Sequence, residues 1–363
     1  MTNAGTRVDV TAGSRPSTIW IGNGISERLP ELLDAHGVGA RRFVVSSPVI
    51  WQLHGARMQE VLGRVEPILL PDGERFKNLQ SVSRVYEALI KAGADRGSAI
   101  VAVGGGVIGD TAGFAAASFL RGITLAHVPT TLLAQVDSSI GGKVGVNHAL
   151  GKNLIGAFHQ PLLVAIDPAL LATLPRREFR AGLYEVLKYG MTSSRDLFDR
   201  IDRELDAIFA RKPDVLVAII GESCTIKGRV VGLDERESGP RRMLNFGHTA
   251  GHALEAVTKY KRFRHGEAIA YGMLTASEIS VARGVMPIAD REALGRTIMK
   301  LGPLPPVGDL STKEVLEAMR RDKKVVNGTL HYVLSNGIGN WSTATDVTEA
   351  ELEAALKKIG LKK

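Results

Sequence analysis

Three histidines supply the side chains of this sequence best suited to bind a metal ion. His248 and His252 stand four residues apart in His248-Thr-Ala-Gly-His252, and His265 follows shortly after. Side chains four apart lie on one face of a helix, so both imidazoles could chelate one divalent cation. The acidic residue of the metalloprotease motif H-E-x-x-H is missing between them, which argues against a protease. Two histidines with one carboxylate would leave coordination positions open for a substrate, although any single histidine is more often a packed or surface residue.

A glycine-rich loop suggests a phosphate-binding turn. Gly104, Gly106 and Gly109 satisfy G-x-G-x-x-G directly after the predicted strand Ser98–Val103, and a helical pattern follows. Glycines allow backbone N–H groups at the start of a helix to approach a pyrophosphate. No acidic residue stands about twenty positions later to bind a ribose, so the pattern alone also fits an ordinary strand–helix turn.

Two further strand ends strengthen the nucleotide hypothesis. Pro71-Asp72-Gly73-Glu74 and Pro129-Thr130-Thr131 each follow a predicted strand. In an open parallel sheet the carboxyl ends of the strands face one crevice. Three polar, turn-rich strand ends therefore predict a nucleotide site at this edge of the sheet.

Several cations lie in glycine-rich or polar segments. Lys143 and Lys152 are in glycine-rich loops, and Lys227, Arg241 and Asn245 precede the first histidine. Lys and Arg in such loops often bind phosphate or carboxylate, whereas a single surface lysine is usually only solvated. The cations predict an anionic ligand only where the fold brings them together.

The elements that must position these residues alternate between strand and helix in the first half. Alternating strands and helices predict a parallel sheet covered by helices. A helix is predicted over Leu79–Ala94. The predicted strands are Arg42–Ser46, Val65–Leu70, Ser98–Val103, Ile123–Val128 and Leu162–Asp167.

The second half has the helical spacing of apolar residues, every three to four positions. We therefore predict an α/β domain over residues 1–175 and a mainly α-helical domain over residues 176–363. One hairpin is predicted within the second domain, at Leu330 to Val333 with Gly337-Ile-Gly nearby. The predicted helices are Glu178–Thr192, Asp196–Ala210, Asp214–Val231, Thr249–Thr258, Gly266–Arg283, Asp290–Leu301 and Thr312–Arg321.

Composition excludes several classes of protein. The chain has 363 residues, 46 Lys and Arg against 38 Asp and Glu, and a net charge of +8, which suits an anionic small-molecule ligand. Aromatic residues are 5%, too few for a base-stacking nucleic-acid surface. The single Cys224 excludes a disulfide framework, and no apolar run suggests a leader or a membrane span. We expect a cytoplasmic protein without nucleic-acid or membrane partners, and a solvated C-terminal tail containing Lys357, Lys358, Lys362 and Lys363.

Taken together, these segments resemble the 3-dehydroquinate synthase family of sugar phosphate cyclases. The likeness covers roughly Asp72 to Lys324. It is carried by Gly104-Gly-Gly-Val-Ile-Gly-Asp110, Arg121-Gly-Ile123, Pro129-Thr-Thr-Leu-Leu133, Val136-Asp-Ser-Ser-Ile-Gly-Gly-Lys143, Gly151-Lys-Asn-Leu-Ile-Gly-Ala-Phe158, Leu174-Pro175, Glu185-Val-Leu-Lys188, Leu244-Asn-Phe-Gly-His248 with His252, and His265-Gly-Glu267.

The resemblance implies a Rossmann-like, NAD-binding α/β domain, a mainly helical second domain and a homodimer. It implies a phosphate-eliminating carbon–oxygen lyase that converts 3-deoxy-D-arabino-heptulosonate 7-phosphate to 3-dehydroquinate and phosphate. The implied route is transient oxidation by NAD, phosphate elimination, re-reduction and intramolecular aldol closure. This is the second step of the shikimate pathway, which leads to chorismate and aromatic amino acids. The family also uses one divalent metal ion, zinc or cobalt.

The same resemblance implies roles for individual residues. Glu185, His248 and His265 would bind the metal, and His252 would transfer protons instead of ligating. For substrate binding and catalysis it implies Arg121, Asp137, Lys143, Asn153, Lys188, Lys227, Glu237, Arg241, Asn245 and the pair Lys323 and Lys324, without singling out one of that pair. For NAD it implies Asp72, Gly73, Glu74, Lys77, Gly105, Gly106, Val107, Ile108, Gly109, Asp110, Thr130, Thr131, Lys143, Lys152, Leu170 and Thr173.

One segment departs from the family pattern. Ser46-Ser47-Pro48 stands where members of the family often carry Asp or Asn near the adenosine ribose. The resemblance therefore predicts weaker contacts at that end of the cofactor.

Three alternatives stay open at the level of sequence. A sister sugar phosphate cyclase would share the fold, NAD and the metal, but Lys143, Asn153 and Arg241 favour a substrate with both phosphate and carboxylate. A metal-dependent polyol dehydrogenase would release NADH and would need fewer anion-binding residues. A nucleic-acid-binding protein would need clustered cations interleaved with aromatic residues.

Overall fold

The computed structural model describes residues 5–13, 15–321, 325–326 and 329–362. The chain divides into two compact units. The first consists of Met1–Pro175 and Arg211–Arg236, and the second of Arg176–Ala210 and Glu237–Lys363.

The strands and helices are numbered in chain order. The strands are β1 (Thr6–Thr11), β2 (Pro16–Ile21), β3 (Arg42–Ser46), β4 (Ile68–Leu69), β5 (Ala99–Gly104), β6 (Thr124–Pro129), β7 (Lys143–His148), β8 (Gly151–Phe158), β9 (Leu163–Ile166), β10 (Val325–Val326), β11 (Thr329–Leu330), β12 (Tyr332–Ser335) and β13 (Trp341–Ala344). The α-helices are α1 (Leu29–Ala35), α2 (Pro48–Leu62), α3 (Leu79–Lys91), α4 (Gly106–Ser118), α5 (Arg176–Ser193), α6 (Arg195–Arg203), α7 (Leu205–Phe209), α8 (Pro213–Leu233), α9 (His248–Val257), α10 (His265–Ala282), α11 (Ile288–Leu301), α12 (Thr312–Arg320) and α13 (Glu349–Lys358).

A seven-stranded sheet forms the centre of the first unit. Its order is β1-β2-β9-β6-β5-β3-β4, and every neighbouring pair is parallel except β1 with β2. Successive side chains of β5 point to opposite faces: Ile100 and Ala102 join one apolar cluster, while Val101 and Val103 join another. Burial on both faces explains why β5 is apolar throughout.

Helix α8 belongs to the first unit, which differs from the predicted single boundary after residue 175. The helix packs against β1 and β2. A β-carbon on Gly228 would lie 3.0 Å from Val10 Cγ2, so this glycine permits the close approach. The amphipathic pattern predicted the helix itself, but it could not indicate which partner covers the apolar face.

Helix α10 is the central element of the second unit, and it packs against α5, α9, α11 and α13. Two glycines allow the backbones to approach. A β-carbon on Gly266 would lie 1.9 Å from the Ala181 carbonyl oxygen, and one on Gly272 would lie 1.7 Å from that of Gly247. The start of α10 is therefore held against α5, and its middle against the start of α9.

Several elements differ from the predictions. The predicted helix Asp196–Ala210 is two helices, α6 and α7, separated at Glu204, whose backbone is not helical. The antiparallel pairs β1–β2 and β7–β8 were not predicted. The hairpin predicted at Leu330 to Val333 with Gly337-Ile-Gly nearby corresponds to the antiparallel pair β12–β13, except that Leu330 belongs to β11, which pairs with β10.

The predicted C-terminal tail was also wrong in part. Lys357 and Lys358 occupy the last turn of α13, where cations complement the helix dipole. Lys358 Nζ lies 3.1 Å from Glu278 Oε2. The predicted fold class, a parallel-sheet α/β part with a mainly helical part, is confirmed.

Among the helices described above, none combines the length and the apolar composition that crossing a lipid bilayer requires.

Candidate active site

The glycine turn of the first unit joins β5 to α4. Gly105 is the N-cap of α4, and the helix begins at Gly106. A β-carbon on Gly105 would lie 2.9 Å from Thr131 Cγ2, and one on Gly106 would lie 3.0 Å from Ser138 Oγ. These contacts leave little room for side chains, so the start of α4 is bare backbone, which the close approach of a pyrophosphate requires.

Thr130 follows β6, next to this turn. Its N–H donates to the carbonyl of Gly104 at 3.0 Å. Its hydroxyl is buried, and among the described residues (5–13, 15–321, 325–326 and 329–362) it has no hydrogen-bond partner. A buried polar atom without a partner is costly unless a ligand satisfies it, so Thr130 and the glycine turn fit a bound dinucleotide.

A buried ion pair links α4 to the loop that follows β4. Lys77 Nζ is 2.5 Å from Asp110 Oδ2 and 2.6 Å from Asn153 Oδ1. Burial lowers the pKa of Lys77, but the carboxylates of Asp110 and Glu74 outweigh it and raise that pKa above its ordinary value. Lys77 therefore stays protonated, and it joins the loop after β4 to α4 and to β8.

Asn147, which the sequence analysis did not select, fastens the β7–β8 hairpin to the same loop. Its amide nitrogen donates to Glu74 Oε1 at 2.8 Å, and its Oδ1 accepts the N–H of Asn153 at 2.9 Å. Lys152 Nζ lies 3.9 Å from Glu74 Oε1. The predicted cofactor residues Glu74, Lys77 and Lys152 thus lie in one polar cluster with the predicted substrate residue Asn153.

The other predicted cofactor residues occupy turns of the first unit. Asp72 and Gly73 precede a short helical turn, and Gly73 has the left-handed φ of +101°. Thr173 Oγ1 lies 2.9 Å from His54 Nε2. Leu170 packs in the apolar core, so only its backbone could face a ligand. Val107, Ile108 and Gly109 lie in the first turn of α4.

Lys227 and Asp137 form a second ion pair of the first unit. Lys227 Nζ is 2.6 Å from Asp137 Oδ1 and also 2.6 Å from its carbonyl oxygen. Asp137 lies in a π-helical turn, Ala134–Ser138. Lys143 begins β7 and is exposed, and Arg121 is exposed with a left-handed φ of +69°.

Three histidines of the second unit, His248, His252 and His265, come together. The ring centroid of His248 lies 5.3 Å from that of His252 and 5.4 Å from that of His265. One nitrogen of each imidazole lies within 4.8 Å of a nitrogen of each of the other two rings. Glu185 of α5 is fully buried beside them. Its Oε1 lies 3.7 Å from His248 Nε2 and 3.5 Å from His265 Nε2.

In His248 and His265 the second ring nitrogen, Nδ1, donates a hydrogen bond to an acceptor on the side away from Glu185. His248 Nδ1 donates to the carbonyl of Phe246 at 3.1 Å, and His265 Nδ1 donates to Glu255 Oε2 at 3.2 Å. Burial lowers the pKa of His265, but the carboxylates of Glu255 and Glu185 outweigh it and raise that pKa to about 10. The surroundings therefore favour positive charge at this position, as a site for a metal dication would.

Lys188 adds a buried cation to this cluster. Its Nζ lies 2.6 Å from Glu185 Oε2 and donates to the Leu244 carbonyl at 2.9 Å. The side chain is 1% exposed, so the ion pair is shielded from water. Glu185 and Lys188 are three residues apart on α5, as the helical pattern predicted.

The remaining predicted residues lie on the segment before α9. Arg241 is buried, and Asn245 donates a short hydrogen bond to Glu237, whose φ of +63° is left-handed. The predicted substrate residues Lys323 and Lys324 lie outside the described residues. Glu255 was missed, although its position seven residues after His248 places it on the same helix face.

The chain is similar to known sequences and structures over most of its length. A family model described as 3-dehydroquinate synthase N-terminal matches residues 67–181, and one described as 3-dehydroquinate synthase C-terminal matches residues 182–325. The 3-dehydroquinate synthase of Citrifermentans bemidjiense is 44% identical over 337 residues, which cover 92% of this chain and 93% of that protein.

Two solved structures share the fold. The 2-epi-5-epi-valiolone synthase of Streptomyces hygroscopicus, with NAD+ and Zn2+ bound, superposes with a TM-score of 0.86 at 28% identity and covers 94% of this chain and 96% of its own. A 2-deoxy-scyllo-inosose synthase complexed with carbaglucose-6-phosphate, NAD+ and Co2+ has a TM-score of 0.85 at 28% identity, with coverage of 97% and 99%.

Proposed function

This chain belongs to the 3-dehydroquinate synthase family, and we propose that it converts 3-deoxy-D-arabino-heptulosonate 7-phosphate to 3-dehydroquinate and phosphate. We place the reaction at the second step of the shikimate pathway and classify the enzyme as a carbon–oxygen lyase. The observation that carries the proposal is the convergence of His248 Nε2 and His265 Nε2 on Glu185 Oε1 in a buried, charged cluster.

We propose that Glu185, His248 and His265 hold one zinc or cobalt ion. Two imidazole nitrogens and one carboxylate oxygen are the donor set of many catalytic zinc sites, and the buried carboxylate favours a cation. When bound, such an ion supplies Lewis acidity toward substrate oxygens. His252, one turn along α9 from His248, is proposed to move protons at its imidazole.

We propose that NAD binds to the first unit at the glycine turn, the Asp72–Lys77 loop and Thr130. The unpartnered Thr130 hydroxyl and the close approach allowed by Gly105 and Gly106 support this assignment. When bound, NAD supplies reversible hydride transfer, so it would not be consumed. Lys77 and Asp110 hold the surrounding loops in place through their ion pair.

The anion-binding residues are proposed to position the substrate. The substrate carries a carboxylate and a phosphate, which the cations Lys143, Lys227 and Arg241 can neutralise. Lys188 holds a positive charge next to Glu185, where negative charge on substrate oxygens would be stabilised. Asn153 and Asn245 would add hydrogen bonds that fix the orientation of the substrate.

A sister sugar phosphate cyclase is the second candidate, since both structures above belong to that group. The identity of 44% with a 3-dehydroquinate synthase against 28% with these two cyclases supports the first candidate. We also propose a homodimer located in the cytoplasm, which sedimentation and fractionation would test.

Phosphate release from 3-deoxy-D-arabino-heptulosonate 7-phosphate tests the function. We expect release with catalytic amounts of NAD, loss of release after chelation, recovery with Zn2+ or Co2+, and no net NADH. Dehydroquinate dehydratase would identify the product by coupled turnover.

Three outcomes would contradict the assignment. Accumulation of NADH with a polyol would indicate a dehydrogenase. Turnover of only a sugar phosphate without a carboxylate would indicate a sister cyclase. Absence of phosphate release from a folded, metal-loaded protein would reject the synthase function.

A further inference from the structure

Glu255 lies on the helix face that carries two of the clustered histidines. It follows His248 by seven residues and His252 by three on α9, the spacing of side chains that share one face. Its side chain is 5% exposed. A buried carboxylate requires a partner that compensates for the loss of hydration. The partner of Glu255 therefore indicates what this side chain does.

One contact of the Glu255 side chain is with a histidine ring. Its Oε2 lies 3.2 Å from His265 Nδ1, on the side of the ring opposite to Glu185. An Nδ1–H that donates to a carboxylate fixes the orientation of the ring, so that Nε2 is the nitrogen whose lone pair becomes available when a metal ion replaces its proton. That Nε2 is the atom that lies 3.5 Å from Glu185 Oε1.

His248 shows the same arrangement with a neutral acceptor. Its Nδ1 donates to the Phe246 carbonyl, and its Nε2 lies 3.7 Å from the same Oε1 of Glu185. Both rings thus turn Nε2 toward one point; the acceptor at Nδ1 is a backbone carbonyl for His248 and a carboxylate for His265. A carboxylate acceptor increases the electron density of the imidazole more than a carbonyl does, and so strengthens its bond to a cation.

Other buried glutamates of the second unit compensate their charge differently. Glu267 accepts hydrogen bonds from Arg177 and Arg180, and Glu278 pairs with Arg291. These pairs stabilise helix contacts of α10. Glu255 instead directs its Oε2 at a ring of the proposed metal site.

We propose that Glu255 is a positioning residue that orients His265 through Nδ1 and strengthens its binding to the metal ion. The inference rests on the proposed function, because it assumes a metal ion held by Glu185, His248 and His265. Glu255 acts through His265 and does not itself contact the substrate.

Cobalt binding to the full-length protein tests this role. The wild type and the variants Glu255→Gln and Glu255→Ala would be stripped with a chelator and titrated with Co2+ against a chromophoric competitor. We expect Kd to rise about 10-fold in Glu255→Gln, which keeps an acceptor but loses the charge, and about 100-fold in Glu255→Ala. The visible absorption bands of bound Co2+ should also shift, which a merely structural role would not cause.

Glu278→Gln is the matched control, since it neutralises a buried glutamate that pairs with Arg291, away from the histidines. Its Co2+ affinity and spectrum should equal those of the wild type. If Glu255→Ala does not fold, the isosteric Glu255→Gln decides. If Glu255→Gln binds Co2+ with the affinity and spectrum of the wild type, the role of Glu255 is overturned and the metal site stands. If the wild type itself fails to bind Co2+, both the proposed metal site and the role of Glu255 are overturned.

Discussion

At the scale of single residues, the first unit depends on a lysine that is almost completely buried. Lys77 is 5% exposed, and its charge is compensated by Asp110 at 2.5 Å and by the Asn153 amide oxygen. Removal of one partner of a buried ion pair costs more than the pair contributes, because the remaining charge stays buried without compensation. The pair is therefore a sensitive point of the loop that we assign to NAD.

The substitution Asp110→Asn should lower the free energy of unfolding by about 3 kcal/mol. The carboxylate that keeps the pKa of Lys77 high would be lost, while the lysine stays in place. Urea unfolding followed by circular dichroism measures the change.

The double variant Lys77→Met with Asp110→Asn is the control, since it removes both charges from the interior. It should be more stable than Asp110→Asn alone. A loss of less than about 1 kcal/mol in the single variant would show that the ion pair does not compensate a buried charge.

At the scale of elements, the turn between β5 and α4 requires glycine because there is too little room for a side chain. The backbone dihedral angles themselves do not require it. Gly105 has a φ of −78°, which any residue can adopt. A β-carbon there would nevertheless lie 2.9 Å from Thr131 Cγ2, on the neighbouring strand end. Alanine would therefore push apart the two strand ends that flank the proposed pyrophosphate site.

The substitution Gly105→Ala should weaken NAD binding by at least about tenfold, because backbone N–H groups could no longer approach the pyrophosphate. Isothermal titration with NAD measures the dissociation constant. The folded state should persist, which thermal unfolding would verify.

Gly221→Ala provides the matched control within the same unit. Gly221 lies inside α8, and a β-carbon there would contact nothing within 4 Å. This variant should bind NAD like the wild type and gain up to about 1 kcal/mol of stability, since alanine favours the helix. Equal NAD affinity in Gly105→Ala and Gly221→Ala would argue against a cofactor at the turn.

At the scale of the whole molecule, folding stability should depend on pH through a histidine outside the histidine cluster. His127 lies in β6, 4% exposed. Burial, assisted by the neighbouring His159, lowers its pKa to about 4 from the ordinary value of 6.5. The folded chain thus keeps His127 neutral at pH values where the unfolded chain protonates it.

The stability contributed by neutral His127 is complete above pH 6.5 and declines as the pH falls toward 4, because the unfolded state binds the extra proton. We expect this residue to account for a loss of about 2 kcal/mol between pH 7.5 and pH 5. Urea unfolding of the wild type and of His127→Gln at both pH values measures the difference.

His148→Gln serves as the control, since it removes an exposed histidine of the same unit and leaves His127 in place. It should retain the full decline of the wild type. A His127→Gln variant that loses as much stability on acidification as the wild type would show that His127 does not titrate in this range.

The amino-acid sequence by itself determined the elements and the main motif residues. A short run of β-forming residues predicted β3 with its observed bounds, and the glycine motif predicted the β5–α4 turn. These patterns can be recognised in the sequence because the periodicity of a strand or a helix is a local property of the chain. Family resemblance then selected Glu185, His248 and His265, which the structure brings together.

Only the tertiary structure decided which faces and loops meet. It assigned α8 to the first unit, joined Asn147 to the Glu74 loop, and set Glu255 behind His265. The hairpins β1–β2 and β7–β8 also appeared only there. The physical reason is that a local pattern states which side of an element is apolar or charged, whereas the partner of that side depends on contacts between residues far apart in the chain.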